Sequence, residues 1–108
     1  MIDLEALSTR LGGNESIVKK ILDIFVTQYG QTPSALETAV ASGDTEAIYQ
    51  QAHSIKGALA NMCAEEDAAV AEEIERIARG GEMPPQSLVQ NMEQRIRDIN
   101  QQIELAGQ

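Results

Sequence analysis

Apolar residues recur every three or four positions along this chain, and no window alternates apolar and polar positions as a strand does. Leu4, Leu7 and Leu11 predict a first short helix over Asp3–Leu11. Gly12 and Gly13 stop it, and Asn14 is placed to cap the next. A second helix is predicted from Glu15 to about Gly30. Pro33 either kinks that helix or opens a short one over Pro33–Ser42. Gly43 suits a left-handed C-terminal position and Asp44 the following N-cap. A third helix is expected over Thr45–Met62, and a fourth over Glu65–Arg79 that stops at Gly80 and Gly81. Pro84 and Pro85 are tolerated at the start of a fifth, whose apolar residues run Val89, Met92, Ile96, Ile99, Ile103 and Ala106. Four long amphipathic helices with short connections predict an all-α fold. The expected architecture is an antiparallel four-helix bundle with a short N-terminal capping helix, one domain over residues 1–108.

Composition narrows the function classes. A chain of 108 residues can bury a real core. One cysteine, Cys63, excludes an intrachain disulfide and a paired-cysteine zinc site. A lone thiol suits a reducing compartment, so a cytoplasmic location is expected. Seventeen acids against eight bases give a net charge of −9, which argues against a nucleic-acid partner. That acidity reads most simply as solubility, in a monomer. No apolar run approaches the roughly 20 residues of a membrane span, so no membrane association is expected. The opening "MIDLEALSTR" carries acids where a signal peptide has bases.

Against this background the segment "QQAHSIKGALANM" stands out. Gly57 lies in the middle of a predicted helix, where it costs about 1 kcal/mol relative to alanine. One turn earlier stands His53, the only histidine. On a helical wheel Ile48, Ala52, Ile55, Leu59 and Met62 fall within about 40° of one direction, the core seam. His53 points roughly 140° away from it. Glu46, Tyr49, Gln50, Gly57 and Ala60 share the outward side, with Lys56 on its flank. Separately, each residue has a plain explanation: a surface imidazole, a solvated ammonium, a glycine at a helix crossing. Together they leave a clearing beside a nucleophilic ring.

An unperturbed imidazole titrates near pH 6.5, so around neutrality its free nitrogen can attack phosphorus and hold a phosphoryl group through a labile P–N bond. Phosphoryl transfer rests on positioning and charge neutralisation. The chain shows no nucleotide-binding loop and no acidic set for Mg²⁺ at the histidine. These features suit a carrier without its own nucleotide, cofactor or metal site, whose partner supplies the Mg²⁺.

"AHSIKGALANMCA" resembles the signature of histidine-containing phosphotransfer domains, A-H-x-[LI]-K-G-[SA]-[SA]-x-x-x-G-A. Ala52, His53, Ile55, Lys56, Gly57, Ala58 and Ala64 match it. The likeness extends to "DLEALSTRLGGNESIVKKILDIF" before the histidine helix and "AEEIERIARGG" after it. Two positions depart: Cys63 stands where the family has glycine, and Leu59 where it often has a small residue. The resemblance implies a phosphorelay intermediate in two-component signalling, phosphorylated on His53. Lys56 would stabilise the phosphoryl group and Gly57 would open access to it. Glu75 falls where the family has a partner for the other ring nitrogen; a plain surface glutamate is the competing reading, and Gln50 is a second candidate partner. The implied partners are a response-regulator receiver domain and a hybrid sensor kinase.

The second helix is wider in its apolar arc than one seam requires. Ile17, Ile21 and Ile24 are taken as the seam, with Val18, Leu22, Phe25, Val26 and Tyr29 broadening it. Most of these should be covered by the first helix. Phe25, Tyr29, Tyr49 and Ala60 are candidates for docking a partner. The alternatives are a helical adaptor without chemistry, a metal- or haem-binding bundle, and a cysteine enzyme built on Cys63. The last two lack an inward Glu-x-x-His pair and an activating cluster respectively.

Overall fold

The computed structural model describes residues 1–107, and six helices lie within them. They are α1 (Leu4–Arg10), α2 (Glu15–Tyr29), α3 (Thr32–Ala41), α4 (Thr45–Asn61), α5 (Glu65–Arg79) and α6 (Gln86–Ala106). Three start on a side-chain cap. Asp3, Asn14 and Asp44 each accept the backbone N–H three residues on, from Ala6, Ile17 and Ala47. Each cap satisfies one of the donors that a helix start leaves unpaired.

Pro33 opens a new helix rather than kinking the old one. It sits in the first turn of α3, where its missing N–H is not needed. Only Gly30 and Gln31 separate α2 from α3, so the two make one interrupted arm. With α4, α5 and α6 this arm completes the expected four-helix bundle. The core is aliphatic: Leu36, Ile48, Ile55, Leu59, Ile74 and Ile96 are all inaccessible to solvent. Leu59, which departs from the family's small residue, is thus a filler of the bundle interior.

The seam expected on α2 is corrected. Ile17 and Ile24 are exposed, whereas Leu22 and Phe25 are buried. Val18, Leu22, Phe25 and Tyr29 repeat with the same four-three-four spacing as a seam, about 100° round the helix from Ile21. The two lines are equally periodic in the sequence. The tertiary packing against α1 and the end of α6 decides between them. Phe25 is consequently no docking residue: it is 2% exposed and its ring packs on Tyr29 with centroids 5.3 Å apart.

The end of α4 explains Cys63. Its N–H donates to the Ala60 carbonyl at 3.2 Å, and the Ala64 N–H donates to that of Leu59 at 2.9 Å. This paired pattern is a Schellman cap, which requires a left-handed residue at the first position beyond the cap. Cys63 occupies it with φ 59°, and Gly43 occupies the matching position after α3 with φ 68°. Glycine is favoured there because it lacks the Cβ that strains this conformation. Cys63 accepts that strain while burying its side chain. Arg10 of α1 reaches the same end, donating to the carbonyls of Ala60 and Asn61 at 3.3 and 3.2 Å.

Joined by this tight turn, α4 and α5 run back against each other. The face that α5 offers carries Ala64, Ala68, Ala71 and Ala78, all buried. Small side chains let the two backbones approach, and this closeness determines which residues meet across the pair.

Elsewhere, a buried acid ties α3 to α6. Burial, then the neighbouring Glu37, pushes the Glu93 carboxyl up to about 7, with Arg97 opposing. Glu37 is held below its ordinary value by its hydrogen bond with Glu93 and by Arg97. Below about pH 7 the folded state therefore keeps a proton on Glu93 that an exposed glutamate releases. Between about pH 4.5 and 7 the unfolded chain releases a proton that the native state keeps, so stability falls as pH rises through that window and levels off above it. Urea denaturation is expected to show this fall, on the order of 1–3 kcal/mol. Glu93→Gln, which keeps a donor to Glu37 at every pH, should remove it.

Candidate functional site

His53, Lys56 and Gly57 lie on the outer face of α4, as their angular positions predict. The His53 side chain is 57% exposed. Glu75, by contrast, is almost wholly inaccessible, its side chain 3% exposed. It occupies the alanine face of α5, four residues after Ala71 and three before Ala78, and so points at α4. The reading of Glu75 as a surface residue is thereby excluded.

A buried carboxylate is unfavourable unless charged or polar groups satisfy it. Glu75 has three. Its Oε1 accepts from His53 Nδ1 at 2.7 Å and from Arg79 Nη2 at 3.1 Å, while Oε2 meets Lys56 Nζ at 2.5 Å. Burial pushes the Glu75 carboxyl up, but the hydrogen bonds from Lys56 and His53 outweigh this and hold it below its ordinary value. The group is ionised at neutral pH. An ionised carboxylate only accepts, so in the neutral imidazole the proton sits on Nδ1 and Nε2 keeps its lone pair. The ring is anchored on its inner nitrogen and open on its outer one.

Gln50 does not contribute to this anchoring. Its amide nitrogen donates to Glu46 one turn back, at 3.0 Å, so the expectation that it partners the imidazole is corrected. Tyr49 stacks on the His53 ring, with centroids 5.8 Å apart and planes 24° apart. Tyr29 is half-buried, and its hydroxyl lies 3.4 Å from that of Ser54, bringing the end of α2 beside the histidine helix. Ala60 is exposed one turn past Gly57.

Gly57 has no internal reason to be glycine. A Cβ built there would meet nothing within 4 Å, and its φ is not positive. The helix-crossing explanation therefore fails. Gly57→Ala is expected to stabilise the protein by about 1 kcal/mol in urea denaturation. A glycine retained against that gain serves something that approaches from outside.

The sequence reading missed Arg79. Its guanidinium shares Glu75 Oε1 with His53 and lies over the Tyr49 ring, 5.5 Å from the centroid. The available signal was its i+4 spacing from Glu75, which puts both residues on one helix face.

An oriented imidazole, open at one nitrogen on the surface of a bundle and flanked by cations, suits a protein that carries a phosphoryl group. The sequence comparisons give the family. The Hpt domain matches residues 20–106, and the chain belongs to the Hpt domain family. A solved structure, that of histidine-containing phosphotransfer protein B (HptB) from Pseudomonas aeruginosa PAO1, is similar at 28% identity with a TM-score of 0.84. The match covers 97% of this chain and 92% of that one. No curated protein matches the chain by sequence. The fold and the family agree on a histidine phosphotransfer intermediate of two-component phosphorelays. No helix among the described residues is long and apolar enough to cross a membrane.

Proposed function

We propose that His53 is the phosphoryl-accepting residue, and that it exchanges the group with the aspartate of a response-regulator receiver domain, a hybrid sensor kinase being the other partner. The observation that carries this reading is the 2.7 Å bond from Nδ1 to Glu75, which leaves Nε2 free on an exposed ring.

The Nε2 lone pair attacks the phosphorus of an aspartyl phosphate. The P–N bond forms as the P–O bond to the aspartate breaks, and the carboxylate departs with that bond's electrons. Nδ1 keeps its proton, so the ring becomes positively charged. Glu75 lies against that developing charge and stabilises it without rearranging. Lys56, whose ammonium already lies between the two helices, offsets charge on the incoming phosphoryl oxygens. Gly57 leaves room for the partner's loops, and Tyr29 and Ala60 border the surface on which it docks. The protein acts as a carrier without its own nucleotide site, working as a cytoplasmic monomer, and the receiver brings the Mg²⁺.

Incubation with a phosphorylated receiver should transfer label to this protein, and the label should be acid-labile and alkali-stable. Acid-stable label, or none, would remove the proposal. Gly57→Ala should transfer more slowly although it is the more stable protein, because its methyl group projects into the approach path.

A further inference from the structure

Three side chains and the imidazole itself close a circuit. His53 Nδ1 bonds Glu75, Arg79 bonds the same carboxylate oxygen, the Arg79 guanidinium lies over the Tyr49 ring, and Tyr49 stacks on His53. A single hydrogen bond from Nδ1 leaves a ring on a two-torsion side chain able to turn out of that bond, and a ring that has left the carboxylate exchanges between its two tautomers. A stacked neighbour restrains the turn, because it favours one plane. Tyr49 lies four residues before His53, on the same side of α4, and restrains the ring from that side. Arg79 holds Tyr49 in turn, since a guanidinium favours the face of an aromatic ring. Being bonded to Glu75, it also ties the stack to the group that anchors the histidine. Arg79 is 67% exposed, so it makes little contribution to the core. Both residues touch the ring's surroundings, and neither reaches the free Nε2 in the contacts observed.

We propose that Tyr49 and Arg79 are positioning residues, a two-member clamp that holds the imidazole of His53 in the single orientation that presents Nε2 outward. This proposal rests on the reading of His53 as the phosphoryl acceptor.

The test uses the unphosphorylated protein first. His53 is the only histidine, so long-range ¹H–¹⁵N spectra report its ring without ambiguity. The wild-type protein should show one Nδ1–H tautomer. Tyr49→Ala and Arg79→Met, each checked for unchanged helix content, should show averaging between the two tautomers. Transfer from a phosphorylated receiver should then fall about tenfold in the rate of the chemical step, with little change in the receiver concentration giving half-maximal rate. Tyr49→Phe, which keeps the ring, should recover most of what Tyr49→Ala loses. A wild-type tautomer spectrum in both variants overturns the proposal, whatever the rates do. So does tautomer averaging with an unchanged rate, or a loss confined to half-saturation, which would make the pair docking contacts. The spectra are read without phosphorylation, so failure of the clamp and failure of His53 as acceptor give different results.

Discussion

His53→Gln is expected to abolish phosphoryl acceptance and to leave the fold intact. The loss should be complete rather than partial, because the amide nitrogen of glutamine has no lone pair available for attack on phosphorus. Stability should change little. The replaced ring is exposed on α4, and its one buried contact is with the Glu75 carboxylate. A glutamine amide can donate to that same carboxylate, so the buried charge keeps a partner. Unfolding in urea should shift by less than about 1 kcal/mol, the range of surface substitutions. Label surviving on the variant would place the accepting group elsewhere and remove the functional reading.

The second large effect is expected at Glu75. Glu75→Ala should slow phosphoryl transfer roughly 10- to 100-fold, by analogy with the loss when the carboxylate orienting a metal-bound histidine is removed. Three losses coincide. The ring loses the acceptor that fixes its tautomer, the charge that balances the positive ring of the phosphorylated state disappears, and Lys56 loses the contact that holds it beside the site. Glu75→Gln separates these effects. It retains an acceptor for Nδ1 but not the charge, so its rate should fall between those of wild type and the alanine variant. Destabilisation by Glu75→Ala should be about 1–3 kcal/mol, because Lys56 and Arg79 are partly exposed and can turn to water. Single-turnover transfer and urea denaturation measure the two quantities. An alanine variant that transfers at the wild-type rate would show that the carboxylate has no part in the chemistry.

Much of this site was legible from spacing alone. The four-three-four-three run of Ile48, Ala52, Ile55, Leu59 and Met62 sets which side of α4 faces inward, and all five are buried. The outward direction of His53 follows. What periodicity does not carry is which of two equivalent lines a neighbour covers. On α2 the line through Ile21 and the line through Leu22 are equally regular, and only the packing of α1 and α6 selects the second. That ambiguity is why Phe25 reads as a surface residue from sequence and lies in the core.

Residues that act across helices were harder to recognise. The burial of Glu75 depends on the close approach of α4 and α5, which the alanines of α5 permit, and its charge is tolerable only with Lys56 and His53 opposite. A glutamate on a Glu-rich helix advertises none of this by its type. Its place in line with Ala71 and Ala78 is the local signal. Arg79 escaped notice because its role follows from two contacts, with Glu75 and with the Tyr49 ring, neither evident until the helices are packed. Cys63 is a third kind of case. Its departure from glycine is visible in the sequence, but the reason glycine is favoured there, a left-handed residue completing the cap of α4, is visible only in the backbone.

Everything proposed for the chemistry depends on Nδ1 being occupied by Glu75 and Nε2 being the nitrogen left for phosphorus. The most direct measurement is a ³¹P–¹⁵N correlation spectrum of the phosphorylated, ¹⁵N-labelled protein, which identifies the bonded nitrogen. The account predicts a single phosphoryl group on His53 Nε2. Phosphorus on Nδ1, or on any side chain other than His53, would contradict it.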